Sequence, residues 1–326
     1  MTGDLSYLLP YRGAAPLDGD DEGLGDYLVW LSSRVDLIVV DGSDPDAFMV
    51  HHERWGSFAT HVRPDPGIRC LNGKVRAVLT GLRHAACGSV VIADEDVRYD
   101  DAALGEMREL LRGADLVRPQ NVFDPVPWHA RWDTARSLLN RTVGSDHPGT
   151  LGVRRSFLDR IGGYDGDVLF ENLELVRTVA AAGGRTVDAP GLFVSRRPPS
   201  LARFLEQRPR QAYDDFAQPL RFVFFLLLGP AIVATARRRP TALLAGAGAA
   251  MAAAEIGRVR HGGARVFDRL SPVFAPAWMI ERACLVWLAL LWRLGRGGCP
   301  YAGRIIPRAA NPVRVLRRRL REPLAD

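Results

Sequence analysis

Lysine is nearly absent: Lys74 is the single lysine of the 326-residue chain, against 42 arginines. In a sequence that has drifted so far to arginine, a retained lysine marks a position that needs a compact ammonium rather than a planar fork. Cysteine is scarce as well. Cys70, Cys87, Cys284 and Cys299 have neither metal-ligand spacing nor the density of a disulfide framework, which argues against a zinc module or a stapled secreted scaffold and for a reducing, cytosolic setting. No basic segment followed by an apolar stretch opens the chain, so no signal peptide is expected before the first strand.

Long unbroken apolar runs are also lacking. Residues 222–236, 241–254 and 272–292 are apolar, but Glu281-Arg282 interrupts the third. Fifteen helical residues reach only about 22 Å of the roughly 30 Å hydrocarbon core. Two readings stand: a helical bundle on a soluble domain, or attachment to a membrane. The arginine clusters at 237–239 and 314–321 favour attachment, with the first run in the interface, the next two forming a hairpin, and both clusters on the cytoplasmic side.

Charge divides the chain. Residues 1–215 carry 25 basic and 32 acidic side chains, net −7, whereas residues 216–326 carry 18 and 5, net +13. The acidic half lacks the basic footprint that phosphate backbones require, which excludes nucleic acid as its partner. Arginines interleaved with apolar runs in the second half suit an anionic lipid surface. The expected organisation is a catalytic domain over residues 1–215 and a basic, apolar, helical, membrane-associated region with an arginine-rich tail over residues 216–326.

Within the first half, residues 5–11 read as a strand and residues 18–33 as a helix with its acids at the positive end of the dipole. Residues 35–43 form an apolar strand that stops at the turn Asp41-Gly42-Ser43. A second pass runs through Asn72-Gly73-Lys74, a helix over about 75–86 and a strand ending at Asp94; a helix over 101–111 and a strand over 115–119 follow. Strand, helix and strand in alternation predict an α/β fold with a mostly parallel sheet. Residues 125–149, rich in Trp, His and Arg, read as an irregular wall over the site. A short helix lies in residues 150–163 and ends at Gly162-Gly163. A further helix over 171–182 closes at Gly183-Gly184, and residues 185–194 read as the last strand.

The most informative stretch is Val90-Val91-Ile92-Ala93-Asp94-Glu95-Asp96. An apolar run ending in acids reads as a buried strand that delivers Asp94 and Asp96 to the sheet edge where ligands bind in open α/β folds. Two carboxylates there suit a hard divalent cation holding a diphosphate. Lys74, on a loop that opens a helix, occupies a natural anion site. Trp128 and Trp132 read as packing residues, and His129 and His147 as hydrogen-bonding loop residues rather than metal ligands.

Taken in order, Asp41, Gly73-Lys74, Asp94-Glu95-Asp96, Gly162-Gly163-Tyr164 and Gln207-Arg208-Pro209-Arg210 resemble the motifs of family 2 inverting glycosyltransferases of the A-type (GT-A) fold, over residues 5–215. The resemblance implies a Rossmann-like GT-A domain in which Asp41 contacts the nucleobase. It further implies that Asp94 and Asp96 form the DXD motif serving ribose and metal, with Mn²⁺ or Mg²⁺ carrying the diphosphate. The family's usual base is the Asp of a Glu-Asp pair; here the pair reads Glu171-Asn172, and an amide accepts no proton at neutral pH. Glu171 is therefore the candidate general base, with Glu174 one turn further on as the second choice. Gln207 and Arg210 resemble the QxxRW motif of ceramide glucosyltransferases and hyaluronan or cellulose synthases, with Gln211 in place of the Trp. Arg210 is expected to hold the diphosphate, and the lost indole argues against processive synthesis.

The combined expectation is a metal-dependent glycosyltransferase of the hexosyltransferase class at the cell membrane, its catalytic domain cytoplasmic. It moves a sugar from a nucleotide-sugar donor, a UDP-sugar, to a lipid or glycan acceptor. Two alternatives stay open. One is a non-catalytic membrane-bound protein that binds nucleotide sugars, motivated by Asn172 and Gln211. The other is a nucleotidyltransferase, weakened because an acidic stretch rather than a Gly-rich basic loop follows the first strand.

Overall fold

The computed structural model describes residues 4–14 and 19–321, so the expected helix start at Asp18 lies outside the described residues. The first half alternates β1 (Leu5–Tyr11), α1 (Gly19–Ser32), β2 (Asp36–Asp41), α2 (Pro45–Trp55), β3 (Thr60–Val62), α3 (Gly73–His84) and β4 (Ser89–Ala93). It continues through β5 (Val97–Arg98), α4 (Asp101–Arg112), β6 (Leu116–Phe123), α5 (Trp128–Val143), β7 (Thr150–Arg154), α6 (Arg155–Arg160) and α7 (Glu171–Ala181). Then come β8 (Thr186–Arg196), α8 (Leu201–Tyr213), the long helices α9 (Pro219–Arg238), α10 (Pro240–Val259) and α11 (Ala275–Gly295), a hairpin β9 (Cys299–Tyr301) and β10 (Arg304–Ile306), and α12 (Val313–Arg319).

Eight strands form one sheet in the order β3-β2-β1-β4-β7-β6-β8-β5. Strands β1 to β4 run parallel; β7 inserts antiparallel between β4 and β6, and β5 runs antiparallel to β8 at the edge. All seven residues of β1 are buried, as a strand covered on both faces requires, and its side chains alternate between two cores. Leu5, Tyr7 and Leu9 pack with Leu28 and Leu31 of α1 and Leu104 and Met107 of α4. Leu8 faces the other way, onto Val75 and Val78 of α3, Phe157 of α6 and Val179 of α7. Caps fix the helix starts: the Asp44, Asn72 and Asp100 side chains accept from the backbone amides of Ala47, Lys74 and Ala103 at 2.9, 3.0 and 2.7 Å, each worth about 1 kcal/mol.

Two expectations need correction. Residues 128–143, read as irregular, form the sixteen-residue helix α5. Its buried face includes Asp133, Thr134, Ser137 and Arg141 beside Ala130, Ala135 and Leu138, so no apolar period marks it. Residues 150–154, expected only to lead into a helix, form the antiparallel strand β7, so the sheet is mixed on that side. The stretch between β2 and Asn72, left unassigned, supplies α2 and β3.

Three helices near the C-terminus are long and apolar enough to cross a membrane, and only 6 % of the apolar window of α9 is buried. The one-residue turn, Arg239, joins α9 to α10, whereas the expected hairpin paired the second and third runs. Two 3₁₀ turns, Arg260–Arg265 and Ser271–Phe274, separate α10 from α11 instead. The C-terminal end of α10 is seated on α5. A Cβ at Gly257 would lie 1.9 Å from the Leu138 carbonyl oxygen, and Arg141 donates to the carbonyls of Gly257, Pro190 and Arg260 at 3.1, 2.8 and 2.7 Å. After α11 the chain returns to the sheet-bearing half, where Cys299, Ile306 and Ala309 pack on Leu169, Leu173 and Tyr213.

Candidate functional site

Buried Val90, Val91, Ile92 and Ala93 end β4 at the carboxyl edge of the sheet, and Asp94 begins the loop. Its amide donates to the Gly149 carbonyl at 2.9 Å. A Cβ at Gly149 would approach Asp94 Oδ2 to 2.7 Å, so only glycine lets the 144–149 loop lie this close. The Asn172 side chain holds the same loop, donating from Nδ2 to the Pro148 carbonyl at 3.0 Å. Asn172 thus holds this loop beside Asp94.

Lys74 joins the two halves of the site. Its ammonium contacts Asp94 Oδ1 and lies 2.6 Å from Glu171 Oε1. It is placed there because Asn72 caps the start of α3, with Lys74 in its first turn, and Phe170 starts α7, with Glu171 as its first residue. Burial pulls the pKa of the ammonium down, but Asp94 and Glu171 outweigh it and raise it above the ordinary lysine range. Burial pushes the Asp94 carboxyl up, and Lys74 and Arg196 more than reverse this, leaving it below the usual range.

Asp96 is held differently. Arg196, at the end of β8, donates from Nε to Asp96 Oδ2 at 2.8 Å and places Nη2 3.5 Å from Asp94 Oδ2. Burial, opposed by Arg196 but reinforced by the charges of Asp94 and Glu95, pushes the Asp96 carboxyl up to about 6. Asp96 Oδ1 is buried with no hydrogen-bond partner among the described residues, a costly state for a carboxylate oxygen. Glu95 turns away and pairs with Arg203 at 2.7 Å.

The donor set fits a hard cation. Asp94 and Asp96 offer oxygens, one of them orphaned, and among the described residues no third His, Cys, Asp or Glu completes a protein-only cage. Such a cation takes its remaining ligands from substrate and water, as Mg²⁺ and Mn²⁺ bound through one or two carboxylates do.

Asp41 ends β2 fully buried. Its Oδ1 accepts from the Ser43 amide and hydroxyl at 2.8 and 2.5 Å, and its Oδ2 meets His51 Nδ1 at 2.7 Å and His61 Nε2 at 3.3 Å. Burial raises the carboxyl, but the bonds from His61, Ser43 and His51 outweigh it and hold it at about 2. Gln207 is half-buried on α8. Arg210 lies with its guanidinium 5.1 Å from the Tyr301 ring centroid, and its charge also lowers the Asp94 pKa. Its neighbour Arg208 is the buried one: it grips Glu281 at 2.6 and 2.9 Å, contacts Asp133, and reaches Gln211 Oε1 at 2.9 Å.

Glu174 is fully buried, and its oxygens accept from the Asn311 amide and Nδ2 at 2.7 and 2.8 Å. It clamps the returning C-terminal segment to α7 and is removed from the list of bases. His129 bonds the Pro199 carbonyl at 2.9 Å as a hydrogen-bonding residue, but from the first turn of α5 rather than from a loop, and Trp132 packs while donating to Glu281 Oε2 at 2.5 Å. Arg196, Arg208, His51 and His61 were not singled out from sequence. An Arg that ends a strand next to an acidic loop has no local signature; only the sheet order brings β8 to β5.

No known protein-family model matches the chain, and no curated protein is significantly similar to it. Solved structures do match. A mannosyltransferase from Pyrobaculum calidifontis, solved with GDP-mannose and Mn²⁺, is 20 % identical over 88 % of each chain with a TM-score of 0.55. Glucosyl-3-phosphoglycerate synthase from Mycobacterium tuberculosis, solved with Mn²⁺, UDP-glucose and phosphoglyceric acid, is 20 % identical over 61 % of this chain and 73 % of its own, with a TM-score of 0.42. The likeness to the mannosyltransferase, together with the mixed eight-stranded sheet, identifies the fold as the α/β fold of A-type glycosyltransferases.

Proposed function

We propose that the protein is a metal-dependent inverting glycosyltransferase of family 2, a hexosyltransferase that moves one sugar from a UDP-sugar to a lipid or membrane-proximal glycan acceptor. The observation that carries this reading is the cluster of Lys74, Asp94, Asp96 and Glu171 at the carboxyl edge of a GT-A sheet. The P. calidifontis enzyme, with GDP-mannose and Mn²⁺ on a similar fold, supports a nucleotide-sugar donor.

Asp94 and Asp96 would hold Mn²⁺ or Mg²⁺, which when bound neutralises charge on the leaving diphosphate. Lys74 fixes Asp94 and Glu171 relative to one another. Glu171 takes the proton of the acceptor hydroxyl as the hydroxyl oxygen attacks the anomeric carbon opposite the leaving group. Asn172 and Gly149 hold the 144–149 loop against the site, the wall past which an acceptor approaches. Asp41 closes the nucleobase side, and Gln207 and Arg210 the diphosphate side. The exposed apolar faces of α9 and α10, flanked by arginines, support attachment to the cell membrane with the catalytic domain on the cytoplasmic face.

Glu171→Gln separates the readings. A catalyst loses transfer and keeps donor binding; full transfer activity in this variant overturns the assignment of the base.

A further inference from the structure

Arg196 occupies the place between the two DXD carboxylates. Its guanidinium bonds Asp96 Oδ2 at 2.8 Å and approaches Asp94 Oδ2 at 3.5 Å, and so sits between the two carboxylates that would hold a divalent cation. Its backbone has no freedom to leave. Arg196 is registered against Val97 of β5 and Phe123 of β6, and its carbonyl accepts from the Asp124 amide at 3.0 Å. Only the side chain can swing, and beside it Asp96 Oδ1 has no hydrogen-bond partner among the described residues. Lys74 takes the other oxygen of Asp94, Oδ1, together with Glu171, and does not contact Asp96.

A guanidinium seated between these carboxylates repels a divalent cation that enters beside it, so the arginine must give ground for the metal to bind. A planar fork matches a diphosphate as well as it matches a carboxylate pair. On the proposed function above, the metal arrives together with a diphosphate, which is the ligand a displaced guanidinium would seek.

We propose that Arg196 is an exchangeable counter-cation: it holds Asp94 and Asp96 until a metal–nucleotide pair enters, then moves from the carboxylates to the diphosphate. Metal alone must displace Arg196 with no new partner for it, and binds weakly. Metal with nucleoside diphosphate gives Arg196 a destination, and binds tightly. Arg196 thereby couples metal binding to donor binding, a positioning role exerted on both.

Titration calorimetry of the full-length protein in detergent, with Mn²⁺ alone and with Mn²⁺ plus UDP, tests this on the wild type, Arg196→Ala and Arg196→Lys. Removing one positive charge from the metal position should tighten Mn²⁺ binding about tenfold in Arg196→Ala. The same variant should bind Mn²⁺–UDP about tenfold more weakly than wild type, having lost a charge-assisted diphosphate contact. Arg196→Lys should stay near wild type for Mn²⁺ alone. Opposite signs for the two ligands cannot come from a merely loosened fold, and thermal melts confirm that each variant is folded. Unchanged or weaker binding of Mn²⁺ alone in Arg196→Ala, with wild type still binding it, overturns the exchange and leaves the metal reading standing. Absence of Mn²⁺ binding in all three proteins, with and without UDP, overturns the metal reading and the exchange together.

Discussion

Lys74 and Glu171 are 97 residues apart in sequence and 2.6 Å apart in space. The pair ties the first turn of α3 to the first turn of α7, and through Asp94 to the end of β4. The only lysine of the chain therefore sets the distance between the candidate base and the candidate metal ligands. Replacing it by methionine leaves two half-buried carboxylates with no shared cation. Lys74→Met should lower kcat/KM about a hundredfold, on the scale of losing one preorganised electrostatic contact. Lys74→Arg should not restore it, since the fork does not fit a point-charge position. Steady-state kinetics of the two variants beside their melting curves check this.

Glu171 and Glu174 stand one helical turn apart and are predicted to fail differently. Glu171→Gln should reduce turnover by about two orders of magnitude or more with a small change in melting temperature. Glu174→Ala strands the amide of Asn311, now bonded at 2.7 Å, and leaves its Nδ2 with Asp165 alone. It should cost about 1–3 kcal/mol of stability by chemical denaturation.

Asp41 gives the fold an acid-sensitive contribution. Its carboxyl is held at about 2, below the ordinary value of 3.8. A depressed folded-state pKa stabilises the protein at pH values above the unfolded one, and the benefit disappears as pH falls from near 4 to near 2. The contribution at neutral pH is about 2 kcal/mol. Asp41→Asn should lower stability by that order at pH 7, and the difference from wild type should shrink in this acid window, measured as denaturation midpoint against pH.

Glu281 breaks the third apolar run because it is a joint. It receives Arg208 through two bonds, 2.6 and 2.9 Å long, and the indole of Trp132, fastening α11 to α8 and α5. Glu281→Ala leaves Arg208 buried with two of its four hydrogen bonds and should cost about 3–5 kcal/mol. Limited proteolysis should then cut the Arg260–Arg265 and Ser271–Phe274 turns first.

The parallel units, the Asp94 loop, Lys74 and Glu171 were legible because each announces itself locally, through an apolar run ending in acids, a capped helix start or a unique residue type. The helix α5 was not, because polar side chains that satisfy Arg208 and the α10 carbonyls occupy its buried face. Strand β7 was hidden because its partner β4 is defined only once the sheet is assembled. The same holds for Arg196. Its role depends on β8 lying against β5, a pairing between residues 97 and 196 that no local pattern encodes. Glu174 was misplaced as a second base since sequence shows helical spacing and not the return of Asn311.

The central claim is metal-dependent transfer of a sugar from a nucleotide donor. It is tested most directly by incubating the full-length protein in detergent with UDP- and GDP-sugars, Mn²⁺ and extracted membrane lipids, and measuring nucleoside diphosphate release and lipid labelling together. The account predicts UDP release that stops on chelation of the metal, a labelled lipid in equal amount, and loss of both in Asp96→Ala. Donor binding with no release from any sugar would contradict it, and would make the protein a nucleotide-sugar binder whose Glu171 serves only Lys74.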